Sequence, residues 1–158
     1  MDDLNLGRIS HSCAILNEEI IVCGGLIGGG QVSTSTEIIS LSSGTSSIVN
    51  DLKIKRYGHG MGIAYVGNQS KLLAFGGSNH KDLNLDSIEE WNESSKSWNL
   101  SELTLSDGKS YFGHLSIPSL QLFTMCCSVK DEGHFFKTMK ISSRKQLATC
   151  MDVRSNTR

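Results

Sequence analysis

No stretch of this sequence stays apolar for the roughly eighteen residues that a membrane-crossing helix requires. The opening, MDDLNLGRIS, is acidic and lacks the basic-then-apolar order of a secretion signal. Five cysteines is an odd number and none stand as CxxC, which argues against a disulfide framework and for a reducing compartment, so a cytoplasmic location is expected. Charge of neither sign prevails: 15 Lys+Arg oppose 16 Asp+Glu, which removes any global attraction to nucleic acid or an anionic membrane surface. Charged residues are only 20% of the chain, too few for a disordered polyelectrolyte, and 158 residues suffice for one ordinary domain.

Glycine is also missing, but from one part only. Residues 1–118 hold 15 of the 16 glycines and carry 8 Lys+Arg against 13 Asp+Glu. Residues 119–158 hold a single glycine, three of the five cysteines, and 7 Lys+Arg against 3 Asp+Glu. The chain changes character near Pro118.

What the glycine-rich part contains is a repeat. Gly24-Gly25 recurs as Gly76-Gly77, each pair closing a short apolar run, IIVC and then LLAF. Twelve residues past each second glycine stands a glutamate, Glu37 and Glu89, inside a β-like segment. Upstream, GRISHSCAIL aligns with KRYGHGMGIA, pairing Arg8 with Arg56 and His11 with His59. Three anchors in one order define a unit of about fifty residues. Each unit reads as four strands, at 11–16, 20–24, 35–41 and 46–50, then at 59–66, 71–75, 87–92 and 97–100, separated by turn-forming Asn, Gly and Ser clusters. Gly58, Gly60 and Gly62 would share one bare face of a strand, which suits a place where several strands converge.

These residues resemble the kelch repeat: a small-residue strand opened by Arg-x-Gly-His, an apolar strand ending in Gly-Gly, a variable loop, a strand with Glu and an aromatic, and a fourth strand with Trp. The second unit carries the fuller set, with Arg56-Tyr57-Gly58-His59, LLAFGG, Glu89-Glu90-Trp91-Asn92 and Trp98; the first has Ile39 and Ser46 at the aromatic positions. The resemblance implies an all-β fold of kelch-type β-propeller blades. It would be an incomplete propeller, with blades at 7–54 and 55–107. Residues 108–158 would be a degenerate third blade, opened by Tyr111 and His114, or from 119 a non-propeller tail. Both open flanks of such a fan should expose apolar surface and favour self-association.

The resemblance further implies an interaction module for other proteins, a scaffold or substrate-recognition surface, and in many relatives part of a ubiquitin-ligase adaptor. Relatives commonly bind partners through arginine at the blade–blade loop and polar residues after Gly-Gly. That places candidate contacts at Arg8, Arg56, Tyr57, Asn79 and His80, with a blade-edge salt bridge as the structural alternative for the arginines. Gly24, Gly25, Gly76, Gly77, Trp91 and Trp98 would be structural. A truncated non-functional or regulatory product is the alternative to a working module, suggested by the abrupt tail, and an enzyme on a kelch-like propeller is a further one.

Nothing in the residues specifies an enzyme, a cofactor or a metal. The run CGGLIGGG lacks the Lys and the following helix of a phosphate-binding loop. Glu89 and Glu90 are strand neighbours pointing to opposite faces, so they cannot act as an acid/base pair. Cys126, Cys127, His134 and Cys150 form a loose Cys/His cluster whose spacing does not favour zinc. The basic segment from Lys137 to Arg158 reads as a solvated or disordered stretch and not as a nucleic-acid arm.

Overall fold

The computed structural model describes residues 2–66 and 69–112. The basic segment, the Cys/His cluster and His114 lie outside these residues, as does most of 108–158.

The first unit is one antiparallel sheet of β1 (Ser12–Leu16), β2 (Glu19–Cys23), β5 (Thr36–Ser40) and β6 (Ser46–Val49), in that spatial order. The second repeats it with β7 (Gly60–Val66), β8 (Gln69–Phe75), β9 (Ser87–Asn92) and β10 (Ser97–Thr104). Among the described residues the two sheets form no closed barrel. Asn17 and Glu18, both at positive φ, make the two-residue turn joining β1 and β2, matching the twist of the strands it connects. One element was not legible beforehand. The loop after Gly24-Gly25 contains a small hairpin, β3 (Leu26–Ile27) and β4 (Gln31–Val32), turned by the three glycines 28–30.

Period-two alternation gives each sheet two chemically distinct faces. One face of the first sheet presents Ile21, Cys23 and Ile38, with Ala14, Leu16 and Val49 beside them. Against it the second sheet sets Met61, Leu72, Ala74, Trp91 and Trp98, and together these residues make the main core. The Trp98 indole N–H donates to Thr36 Oγ1 at 3.0 Å across the junction. The second sheet's other face holds Leu73, Phe75, Ile88 and Leu105, with Leu103 and Phe112 packed on them. That face is largely covered, contrary to the expectation that both flanks lie uncovered, because Leu103 near the end of β10, Leu105 just after it and Phe112 pack over it. The face left partly uncovered is the far side of the first sheet, where Ile15 and Ile48 are 61% and 63% exposed although Val22, Glu37 and Ile39 beside them are buried.

The bare glycine face also differs from expectation. Gly58 precedes the strand and takes φ of +58°. At Gly60, a Cβ would come within 2.5 Å of the Phe75 ring. Gly60 and Phe75 are cross-strand partners, so the missing side chain makes room for an aromatic ring and not for a convergence of strands.

Candidate functional site

Each unit is tied together by the same buried polar knot. In the first, the Arg8 guanidinium donates to the carbonyls of Gly24 and Ser35, both at 2.9 Å, and to Glu37 Oε1 at 2.5 Å. The Glu37 carboxylate also accepts the backbone N–H groups of Asn5 and Leu6, at 2.6 and 3.1 Å. In the second, Arg56 donates to the carbonyls of Gly76 and Ser87, at 2.7 and 3.2 Å, and to Glu89 Oε1 at 2.9 Å. Glu89 accepts the N–H groups of Lys53 and Ile54, at 2.7 and 3.1 Å. All four charged side chains have 0% of their surface exposed. Burial pushes the Glu37 carboxyl up, but the Arg8 and Asn5 hydrogen bonds together outweigh it and hold the group below its ordinary value of 4.5.

Of the two readings of Arg8 and Arg56, partner contact or salt bridge, both side chains adopt the salt bridge and are buried in it. A guanidinium committed to two carbonyls and a carboxylate, with no exposed surface, has nothing to offer a ligand. The repeat did hold the signal, since arginine and glutamate recur together at matching positions in both units.

A second repeated feature joins one unit to the next. The N–H of Gly25 donates to the Arg56 carbonyl at 2.9 Å, and that of Gly58 to the Ser10 carbonyl at 2.8 Å. The same pair recurs one step on: Gly77 N–H to the Lys109 carbonyl at 2.6 Å, and Tyr111 N–H to the Gly58 carbonyl at 2.8 Å. Ser10, Gly58 and Tyr111 all sit at φ between +51° and +58°. The lead-in to a third step is therefore present in 109–112. Phe112 stands where His59 does: a Cβ on Gly24 would meet His59 at 2.8 Å, and one on Gly76 would meet Phe112 at 2.9 Å. The doublets permit this closeness. Gly77, at φ of +93°, leaves only 2.7 Å between a would-be Cβ and His59 Cβ.

The loops emerging from these joints meet on one rim. Ile9 bridges to Leu26 and Tyr57 to Ser78. The His80 ring lies 5.9 Å from that of Tyr57, and His80 Nε2 lies 3.1 Å from the Gly30 carbonyl of the first unit. The Tyr111 ring meets Tyr57 edge-on at 5.8 Å. Asn79 closes its own turn, its side chain accepting the N–H of Asp82 at 2.9 Å. Tyr57, Asn79 and His80 are thus brought together at the surface, while Arg8 and Arg56 lie beneath. Ile9 and Leu83 were missed, and Tyr111 was read only as the opening of a third blade; the position directly after each arginine, Ile9 and then Tyr57, was the available clue.

The chemistry of the interior is structural. Trp91 and Trp98 pack with ring centroids 5.1 Å apart, both buried. Glu89 belongs to the Arg56 knot and Glu90 to Lys71 and Ser101 on the opposite face. Cys13 and Cys23 are free thiols. Cys23 lies 3.5 Å from His59 Nε2, and burial pushes its thiol far above the ordinary range, which leaves it protonated and unreactive. Among the described residues no group of three or more His, Cys, Asp or Glu side chains could hold a metal ion.

Residues 7–53 match the family model described as the Kelch motif. The match falls on the first unit, the one lacking both tryptophans, and spans Arg8, Gly24-Gly25 and Glu37. Two four-stranded antiparallel sheets with this motif are consistent with incomplete kelch blades. Repeats of this kind are typically non-catalytic and generally support protein–protein interaction. No curated protein matches the sequence.

Proposed function

We propose that a Kelch motif on a rigid pair of blades makes this chain a scaffold or substrate-recognition module, binding other proteins through the loop rim. One observation carries the reading: the two arginine–glutamate knots fix the bases of the loops, while Tyr57, Asn79, His80 and Tyr111 cluster above them. Rigid support beneath an aromatic surface lowers the ordering cost of binding. Substrate recognition within a ubiquitin-ligase adaptor belongs to the same proposal, as does a cytoplasmic setting in which Cys13 and Cys23 stay reduced. Exposed Ile15 and Ile48 on the first sheet's free face support self-association as a second, separate contact.

The test is site-specific photo-crosslinking in cells, with the crosslinker placed at His80 or, as a control, at exposed Leu100 on β10. Discrete protein adducts from position 80 and none from position 100 are expected. Equal yields from both positions would remove the rim from consideration.

A further inference from the structure

The rim also indicates what it binds. Three of the seven large hydrophobic side chains that are exposed among the described residues belong to these loops: Ile9, 67% exposed, bridges to Leu26; Tyr111, 66% exposed, meets the Tyr57 ring; and Leu83, 73% exposed, directly follows Asp82, whose backbone bridges to Asn79. Tyr57 joins them by ring contact with Tyr111 and His80. Beside them the Gly28–Gly30 turn is bare, since a Cβ at any of the three glycines would meet nothing within 4 Å. This leaves exposed main chain within reach of a neighbouring main chain. Tyr111 and His80 hold positive φ, at +51° and +27°, a conformation that non-glycine residues adopt at a cost and that clusters at binding surfaces. The loop's own charges, Lys81 and Asp82, offset one another, and both arginines are sealed in their knots.

Resting on the reading of the rim as the binding face, we infer that its partner presents an extended, uncharged segment with aromatic or branched aliphatic side chains, and not an acidic or basic motif. Such a segment would lay its side chains on the Ile9, Tyr57, Tyr111 and Leu83 strip and its backbone along the open glycine turn. Aromatic anchors at low charge are the usual composition of an interface centre.

The full chain is screened against a random phage-displayed library of peptides about twelve residues long, and selected peptides are titrated as free synthetic peptides. Tyr111→Ser is the decisive variant because the repeat already uses serine there: Ser10 holds the matching position at φ of +54°. The inference expects peptides rich in Phe, Tyr, Trp, Leu and Ile. Tyr111→Ser and Leu83→Ser should weaken their binding, the former about tenfold or more, and Tyr111→Phe should preserve it. Raising NaCl from about 0.1 to about 0.5 M should change Kd by less than about twofold. Selection of Asp/Glu-rich or Lys/Arg-rich, salt-sensitive peptides on the same rim would overturn the inference while leaving the rim as the binding face. Apolar peptides indifferent to Tyr111→Ser and Leu83→Ser would overturn both. Failure to select any peptide, alongside position-80 crosslinks in cells, would overturn the extended-segment inference alone.

Discussion

The two blades share a skeleton and differ in what their equivalent surfaces meet. His59 is buried at the junction while His11, one repeat earlier, is exposed. Met61 is 2% exposed and its counterpart Cys13 lies open. Trp98 is fully buried against the first blade, where its counterpart Ser46 is half-exposed and bonded to Asn5. The second blade seats this face on a neighbour and the first does not. The residues with large apolar payloads sit where a neighbour exists, and the polar knots occur in both. The knot is thus a property of the single blade, and the tryptophans belong to the joint between blades.

If the knots belong to single blades, breaking either should cost the same. Arg8→Ala and Arg56→Ala each take the countercharge from a buried carboxylate that keeps only its uncharged donors and strip a guanidinium hydrogen bond from two carbonyls, and each should lose about 3–5 kcal/mol in urea unfolding. Lysine should not rescue either, because a point charge cannot span the carbonyls and the carboxylate as a planar guanidinium does. A much smaller loss for Arg56→Ala would break the equivalence. The two knots differ in one bond each: Arg8 Nε donates to the Leu6 carbonyl at 3.3 Å, whereas Arg56 Nε has no acceptor among the described residues and Arg56 donates instead to Ser87 Oγ at 3.2 Å.

Acid offers a second probe of the first knot. Glu37 titrates below its ordinary value of 4.5 in the folded chain, so the unfolded state binds its proton more readily. The stability it contributes is complete above that ordinary value and disappears as pH falls through the depressed folded one. Melting temperature should therefore fall on acidification below about pH 4.5, and the fall should be shallower in Arg8→Gln. Identical acid profiles for both proteins would assign the acid sensitivity to other carboxylates.

The joints should respond next. Gly77→Val places a branched side chain at φ of +93°, 2.7 Å from His59 Cβ and 2.8 Å from the Tyr57 carbonyl, and should cost on the order of 2–3 kcal/mol or more. Gly29→Ala meets open space at φ of +75° and pays only the left-handed backbone penalty, roughly 1–2 kcal/mol. Comparable melting temperatures for the two variants would show that close approach contributes nothing at the doublet.

Much of this was readable beforehand, for identifiable reasons. All eight strands of the two sheets fall within a few residues of their expected positions, because alternation and turn residues are local signals. The roles of arginine and histidine were not local. Whether a recurring arginine faces solvent or a carboxylate depends on where a glutamate thirty residues away is carried by the sheet. His11 and His59 hold the same position in the repeat yet differ in burial because only one has a blade in front of it. The step at Phe112 was hidden because Lys109 replaces the arginine of both earlier units, and Tyr111 replaces the small Ser10 and Gly58. The joint there is made by backbone N–H and carbonyl groups, which leave little trace in side-chain identity.

The outer edge of the junction should matter least. There Lys96 Nζ reaches Glu19 of the first blade at 2.7 Å and Glu93 of its own at 2.6 Å, and Asn50 donates to the Ser95 and Lys96 carbonyls at 3.2 and 3.1 Å. The Glu19 and Glu93 contacts raise the Lys96 pKa, but about a third of its side chain is exposed, so water screens most of the attraction. Lys96 also holds φ of +46°, a strain that any side chain replacing it would share and only glycine would relieve. Lys96→Met should thus lose under about 1 kcal/mol at low salt and almost nothing near 0.5 M NaCl, where exposed pairs are screened. Lys96→Gly should lie close to the parent, because the lost ion pairs and the relieved strain are of similar size and opposite sign. A salt-independent loss in Lys96→Met would mean that the lysine stem packs the two blades together. The edge would then share the work of the inner joint, and blade-to-blade cohesion would no longer be confined to the doublets and tryptophans.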